Sequence, residues 1–392
     1  MKNELPCIAL ITGGHALSHF AQLALPPLFP LIRAELGISY LMLGFVIMLP
    51  SIASAVLQPL AGFLVDRVGG RDVLIGGVAI LAVGILIMSL AQGPVTLALG
   101  ALVMGIGNSV FHPADFSILN GRVSVPRLGY AFSAHSVAGS LGFAAAPLFA
   151  AGIASVYGWQ GALTAVAGVG FAFLIVLLAY AHHLHVPSQH KKQEAGGNLA
   201  VLRSPGVLLC FLFFLLWGAS TAGLANFSIS AMQIQFEMDV LLASAAVTAY
   251  MIGNAAGMLA GGFVAVRVVR HDIVAAAGLA FAALIVLLIG LGTFPGGMLP
   301  LALCVAGAAA GITNPSRDLI VRASTPPGAA GRVYGFVYSG LDVGALSTPM
   351  FYGMLIDHGM PQGVFYAVFA FIAVATLTVL QLPGKKLAIQ RT

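Results

Sequence analysis

The sequence predicts an all-α membrane protein of twelve transmembrane helices arranged as two six-helix repeats. Three observations carry that reading. Only 7% of the residues are charged and 59% are hydrophobic, with a mean hydropathy of +1.01. Soluble domains carry roughly 25% charged residues, so a chain this poor in charge cannot cover a water-facing surface. The apolar residues also fall in runs of about 20, the length needed to cross a hydrocarbon core. Finally, the second half repeats an ordered series of residues from the first.

The runs place spans near 6–31, 41–64, 73–92, 95–119, 129–155, 160–183, 206–232, 240–265, 273–293, 298–321, 333–356 and 361–382. Gly93-Pro94 divides one long uncharged run, and Phe294-Pro295-Gly296-Gly297 divides another. Tyr157-Gly158-Trp159 divides a third, with the Trp suited to an interface belt. The stretch from Pro6 to Ile32 is too long for the apolar part of a signal peptide and reads as the first span. The polar segment from His182 to Arg203 holds His182, His183, His185, His190, Lys191, Lys192, Gly196 and Gly197. It reads as a flexible linker. The expected organisation is a bundle over 1–183, a cytoplasmic linker over 184–204 and a second bundle over 205–392.

A net charge of +5 would by itself admit nucleic acid as a partner. The basic residues form no single patch, however. They fall between apolar runs, at Arg67 and Arg71, Arg122 and Arg127, Lys191, Lys192 and Arg203, Arg267 and Arg270, Arg322 and Arg332, and Lys385, Lys386 and Arg391. These positions follow even-numbered spans. Odd-numbered spans are followed by Arg33/Glu35, Glu237/Asp239 and Asp357/His358. By the positive-inside rule both termini are expected in the cytoplasm. No nucleic-acid partner is expected. Cys7, Cys210 and Cys304 sit in or beside apolar runs without metal spacing and read as small hydrophobes.

The repeat has an offset of about 200. Gly62-Phe63, Arg67 and Asp72 match Gly262-Phe263, Arg267 and Asp272. At an offset of about 202, Gly105, Pro113, Gly129, Gly142 and Pro147 match Gly307, Pro315, Gly331, Gly344 and Pro349. Parallel repeats of this kind place a solute path between the halves. Pro113 and Pro315 are expected to mark bending points.

After the second span stands Gly62-Phe-Leu-Val-Asp66-Arg67-Val-Gly69-Gly-Arg71-Asp72. This resembles the G-x-x-x-D-R-x-G-x-R gating loop of the major facilitator superfamily, with a degenerate copy after the eighth span. The resemblance implies the major facilitator fold, and a charge pair of Asp66 with cytoplasmic arginines that holds one conformation. Two further segments resemble the fosmidomycin-resistance branch, whose members are efflux proteins. They are His15 with the following Leu25-Pro-Pro-Leu-Phe-Pro-Leu-Ile, and Gly105-Ile-Gly-Asn-Ser-Val-Phe111-His112-Pro113.

Ionisable groups at bilayer depth are costly and read first as functional. His15, His19 and Gln22 share one helix face at i, i+4 and i+7. His112 and Asp115 stand at i, i+3, and His135 lies on roughly the face of Gly139 and Gly142. The family resemblance implies that spans 1, 4 and 5 meet at the cavity. Histidine beside a carboxylate suits proton carriage or solute binding. Helix-to-helix hydrogen bonding and a metal site are the alternatives, the latter without the Glu of H-E-x-x-H. In the second half, Arg317 could clamp a carboxylate or phosphonate, or pair internally with Asp318, Asp342 or Asp115. Asn314 accompanies it, and Asn226 and Tyr338 are neutral candidates. Gly253, Gly257 and Gly261 have small-xxx-small packing spacing. Gly105-Ile-Gly107 follows no strand, so it is not read as a dinucleotide fingerprint, and no P-loop is present.

The expected function is secondary transport of a small polar or anionic organic solute, proton-coupled, with efflux favoured over proton-symport uptake of an organic acid. An intramembrane metal-dependent enzyme is the alternative of another class. The expected setting is a bacterial inner membrane. The expected partners are the solute, protons and the bilayer, with no cofactor, no resident metal and a monomeric state.

Overall fold

A computed structural model describes residues 4–186, 202–325 and 330–381. Among them every regular element is helical. Packing divides the chain into two units, Met1–Gln193 and Glu194–Thr392. Most of the expected linker, with His190, Lys191, Lys192, Gly196 and Gly197, lies outside the described residues. So do Lys385, Lys386 and Arg391.

The first unit contains α1 (Leu5–Leu23), α2 (Phe29–Leu36), α3 (Tyr40–Val68), α4 (Gly70–Ser89), α5 (Pro94–Asn108), α6 (Phe111–Arg122) and α7 (Val125–Ala179). The first span is interrupted between α1 and α2, where Pro26 and Pro27 supply no N–H for an α-helical ladder and a 3-10 turn takes over. Ser39 accepts from the Met42 N–H and starts α3. The fourth span breaks at Ser109 and Val110. Pro113 then falls in the first turn of α6, where no donor is required. The expected division at Tyr157-Gly158-Trp159 is present as a kink rather than a loop: α7 is two helices that meet at Gly158, which alone leaves helical geometry (φ 69°). Trp159 is packed inside the unit. It is 1% exposed, because its indole N–H donates to Glu35 Oε2 at 2.8 Å and Gln160 donates to the other oxygen.

The second unit contains α8 (Pro205–Asn226), α9 (Ser228–Phe236), α10 (Val240–Ala265), α11 (His271–Gly290), α12 (Leu299–Ala323), α13 (Ala330–Ser347), α14 (Pro349–Asp357) and α15 (Gln362–Gln381). Asp239 caps α10 by accepting from the N–H groups of Leu241 and Leu242. Here α12 is one helix through Pro315, so the matched prolines do not bend both halves alike. Ten described stretches are long and apolar enough to cross a membrane. The fifth and sixth spans are joined in α7, and the eleventh is divided between α13 and α14, so twelve crossings are accounted for.

Glycines set the closest helix contacts. A Cβ at Gly253, Gly257 or Gly261 on α10 would run into carbonyl oxygens of α12, and one at Gly307 or Gly311 into those of α10. Small residues let backbones approach where lipid offers no hydrophobic drive. Gly105 packs on Pro50, and Gly107 on Leu81.

The gating segment departs from expectation. Only Gly69 (φ 102°) separates α3 from α4, so Asp66 and Arg67 are helical rather than in a loop, and Gly62 lies within the span as expected. Asp66 makes no ion pair among the described residues. Arg71 instead bonds its neighbour Asp72 at 2.6 Å, an acid favoured in the first turn of α4 by the helix dipole. The second unit repeats the device with Arg270 on Asp272 at 2.7 Å. At the start of α1, Glu4 accepts from Arg127 at 2.8 Å. That bond holds the Glu4 carboxyl below its ordinary range. The tether is therefore present at neutral pH and released as pH falls through the lowered value.

Candidate functional site

In the first unit, α1, α6 and α7 bring Asp115, His15 and His135 together. Asp115 is fully buried, and His15 and His135 are 4% and 3% exposed. His135 Nε2 lies 3.0 Å from Asp115 Oδ2, a hydrogen bond. His15 Nδ1 lies 3.9 Å from the same oxygen. The rings of His15 and His135 stack at 3.6 Å and 17°. His19 follows at 4.3 Å from His15, against Phe143. His112 stands 5.2 Å from His15, stacks on Phe116 and is exposed. His15 Nδ1, His19 Nδ1 and Asp115 Oδ1 are buried without a hydrogen-bond partner among the described residues. Orphaned polar atoms of this kind cost free energy and call for a ligand, a proton or water.

A carboxylate or an imidazolium buried alone is strongly disfavoured. The contact between His135 and Asp115 gives each buried group a hydrogen-bond partner. By donor type, His15, Asp115 and His135 could hold a metal, since their ligand atoms lie within 4.8 Å of one another. An ion lies in the plane of each imidazole it binds, however, and two stacked rings cannot both point at it until one turns.

Gln22 is not brought to the histidines. Its amide donates to Asn108 Oδ1 at 3.3 Å. Asn108 donates to Ser54 Oγ, which donates to the Gly105 carbonyl. Asn108 and Ser54 were not anticipated, and their only signal was a small polar residue inside an apolar run.

In the second unit, Arg317 Nε donates to Asp318 Oδ1 at 3.0 Å, which settles its internal pairing on Asp318. Tyr338 Oη donates to the same oxygen at 2.9 Å. The guanidinium lies 4.8 Å over the Phe214 ring, and Phe214 meets Tyr338 at 4.6 Å. Phe214 had no sequence signal apart from the run that contains it. Asn314 Oδ1 is buried and unpartnered. Asp342 is exposed and makes no ion pair among the described residues. Asn226 donates back to the Ala222 carbonyl of its own helix.

Two helical units with matched glycines and polar residues at span depth define a multi-pass membrane protein built by duplication. The profile of the Major Facilitator Superfamily matches residues 11–239 and 218–391, and the chain belongs to that superfamily. Its family and fold are those of membrane transporters. It is similar to the fosmidomycin resistance protein of Escherichia coli (strain K12), with 24% identity over 98% of this chain and 94% of that protein. It is also similar to YfnC of Bacillus subtilis (strain 168), described as an uncharacterized MFS-type transporter, with 26% identity over 51% of this chain. That match spans only half of YfnC. Among solved structures, a bacterial homolog of the human lysosomal transporter Spinster gives a TM-score of 0.80 at 16% identity over 97% of both chains. The nucleoside transporter NupG gives 0.73 at 18% identity, over 97% of this chain and 99% of that one. These two show the fold.

Proposed function

We propose that this transporter is proton-coupled and exports a small polar or anionic organic solute across a bacterial inner membrane. It works as a monomer, with both termini and the 184–204 linker in the cytoplasm between bundles 1–183 and 205–392. The observation that carries the coupling is the single Asp115 oxygen set between His135 at 3.0 Å and His15 at 3.9 Å. A buried carboxylate beside two imidazoles becomes neutral overall on taking up one proton, whereas a second would leave the buried cluster with a net positive charge. Gain or loss of that proton changes the bonding among α1, α6 and α7. A conformational equilibrium shifts only by the difference in affinity between its states, and this cluster supplies such a difference. His112, exposed and next to His15, connects the buried pair to its surroundings. Export is supported by the similarity to the fosmidomycin resistance protein.

The test is proton flux in proteoliposomes against a panel of organic anions and cationic drugs, for wild type, Asp115→Asn and His112→Ala. Solute-dependent proton movement is expected, abolished in Asp115→Asn and reduced about tenfold or more in His112→Ala. Saturable transport without proton movement, at the same rate in Asp115→Asn, would reduce the cluster to helix packing.

A further inference from the structure

We infer that Arg317 is the oxyanion-receiving residue of the second unit, taking a carboxylate or a phosphonate-type group of the solute beside the aromatic wall of Phe214 and Tyr338. The inference rests on the transporter reading above and adds to it a place and a charge.

The first argument is unused donor capacity. A guanidinium carries five N–H donors in a planar fork. Asp318 takes only the one at Nε. The four on the terminal nitrogens have no acceptor among the described residues, although the side chain is only 13% exposed. Donors left unpaired on a side chain this enclosed are costly. The second argument is the placing of the neighbours. The Phe214 ring lies 4.8 Å from Arg317 Cζ and Asp318 takes the Nε side, so the end-on pair of N–H groups is left for another acceptor. That fork matches two oxygens of one carboxylate or phosphonate group. The third concerns the neighbouring acid. Asp318 Oδ1 already receives Arg317 and the Tyr338 hydroxyl, and the carboxylate is 45% exposed. It steadies the fork from one side and is solvated on the other.

The repeat adds an independent argument. Arg317 stands two residues after Pro315, as Asp115 stands two residues after Pro113. The position that holds a buried acid in the first unit holds a base in the second. Duplicated positions with opposite charge serve different chemistry: a proton in one unit, an anion in the other. Asn314 takes the place of His112 in the same alignment. One turn before Arg317, its buried and unpartnered Oδ1 can accept from a hydroxyl or N–H on the same solute.

Four probes of one shape and different charge test this on the purified full-length protein: benzoate, phenylphosphonate, benzamide and benzylamine. Intrinsic tryptophan fluorescence is a local reporter, because Trp217 lies one turn from Phe214 on α8. Saturable binding is expected for benzoate or phenylphosphonate, and at least tenfold weaker binding for benzamide and benzylamine. Arg317→Gln is expected to weaken the anion at least tenfold, and so is Arg317→Lys, which keeps the charge but loses the fork. Asp318→Asn frees Nε and is expected to tighten the anion threefold or more. It also keeps the test open if the arginine variants fail to fold, as does the charge series on wild type alone. The inference is overturned if neither anion binds, if benzylamine binds in their place, if Arg317→Gln leaves the anion affinity unchanged, or if Asp318→Asn weakens it. Proton-coupled movement of a cationic drug with no anion binding would remove the oxyanion site and leave the coupled carrier standing. Tenfold weakening by Arg317→Gln with no proton movement in proteoliposomes would do the reverse.

Discussion

At Gly139 a Cβ would lie 2.7 Å from His15 Nε2 and 3.2 Å from His19 Cε1. The missing side chain on α7 is therefore part of the space that the imidazoles occupy, although Gly139 itself bears no chemistry. Alanine is the better helix former by about 1 kcal/mol, so Gly139→Ala tends to favour the helix while it pushes His15 off His135. The expected result is a melting temperature in detergent close to wild type and proton-coupled flux at least tenfold lower. Wild-type flux in Gly139→Ala would show that the stacked geometry is incidental. The residues of this cluster were legible from type and spacing, because histidine and aspartate are rare at bilayer depth and their helical faces can be counted. The stacking of His15 on His135 was not, since it depends on how closely α1 and α7 approach. Nor was the bond from Gln22 to Asn108, which joins two neutral groups on different helices and leaves no periodic trace on either.

The α10–α12 contact shows what spacing predicts at the scale of a helix pair. Gly253, Gly257 and Gly261 follow a four-residue spacing, and each meets a backbone carbonyl of α12. Backbone cannot rotate out of the way as a side chain can. Overpacking a tight core costs about 1–3 kcal/mol, and Gly257→Val is expected to fall at or above the upper end. Gly262, five residues on, has nothing within 4 Å of the same added atom, so Gly262→Ala is expected to be neutral or slightly stabilising. Thermal melting of the two purified variants checks this, and equal melting points would remove the interlock argument. Breaks within elements were less legible. Two prolines matched in sequence have different effects: Pro113 follows a helix break, whereas Pro315 lies inside the continuous α12. A proline interrupts a helix according to whether the carbonyl four residues back finds another partner, and that partner belongs to the tertiary structure. Gly158 shows the opposite case, where one positive-φ residue redirects the chain without a loop.

At the scale of the whole chain, the distribution of charge along the sequence argues for an orientation. The segments after even-numbered spans carry Arg67 and Arg71, Arg122 and Arg127, Arg267 and Arg270, and Arg322, while those after odd-numbered spans carry a single Arg33 with Glu35, Glu237, Asp239 and Asp357. Lys and Arg in short connections set topology, and acids contribute little. The connections here are short enough for the rule to apply: only Gly69 lies between α3 and α4, and five residues lie between α10 and α11. The duplication strengthens the argument, because the same charge pattern recurs in each unit. Fusions in a bacterial host test it. Alkaline phosphatase joined after Gly359, in the connection between α14 and α15, is expected to be active, and joined after Arg322 to be inactive. A green fluorescent reporter at the C-terminus is expected to be bright. Activity at Arg322 with silence at Gly359 would invert the chain and place the arginine-rich connections outside, against the rule.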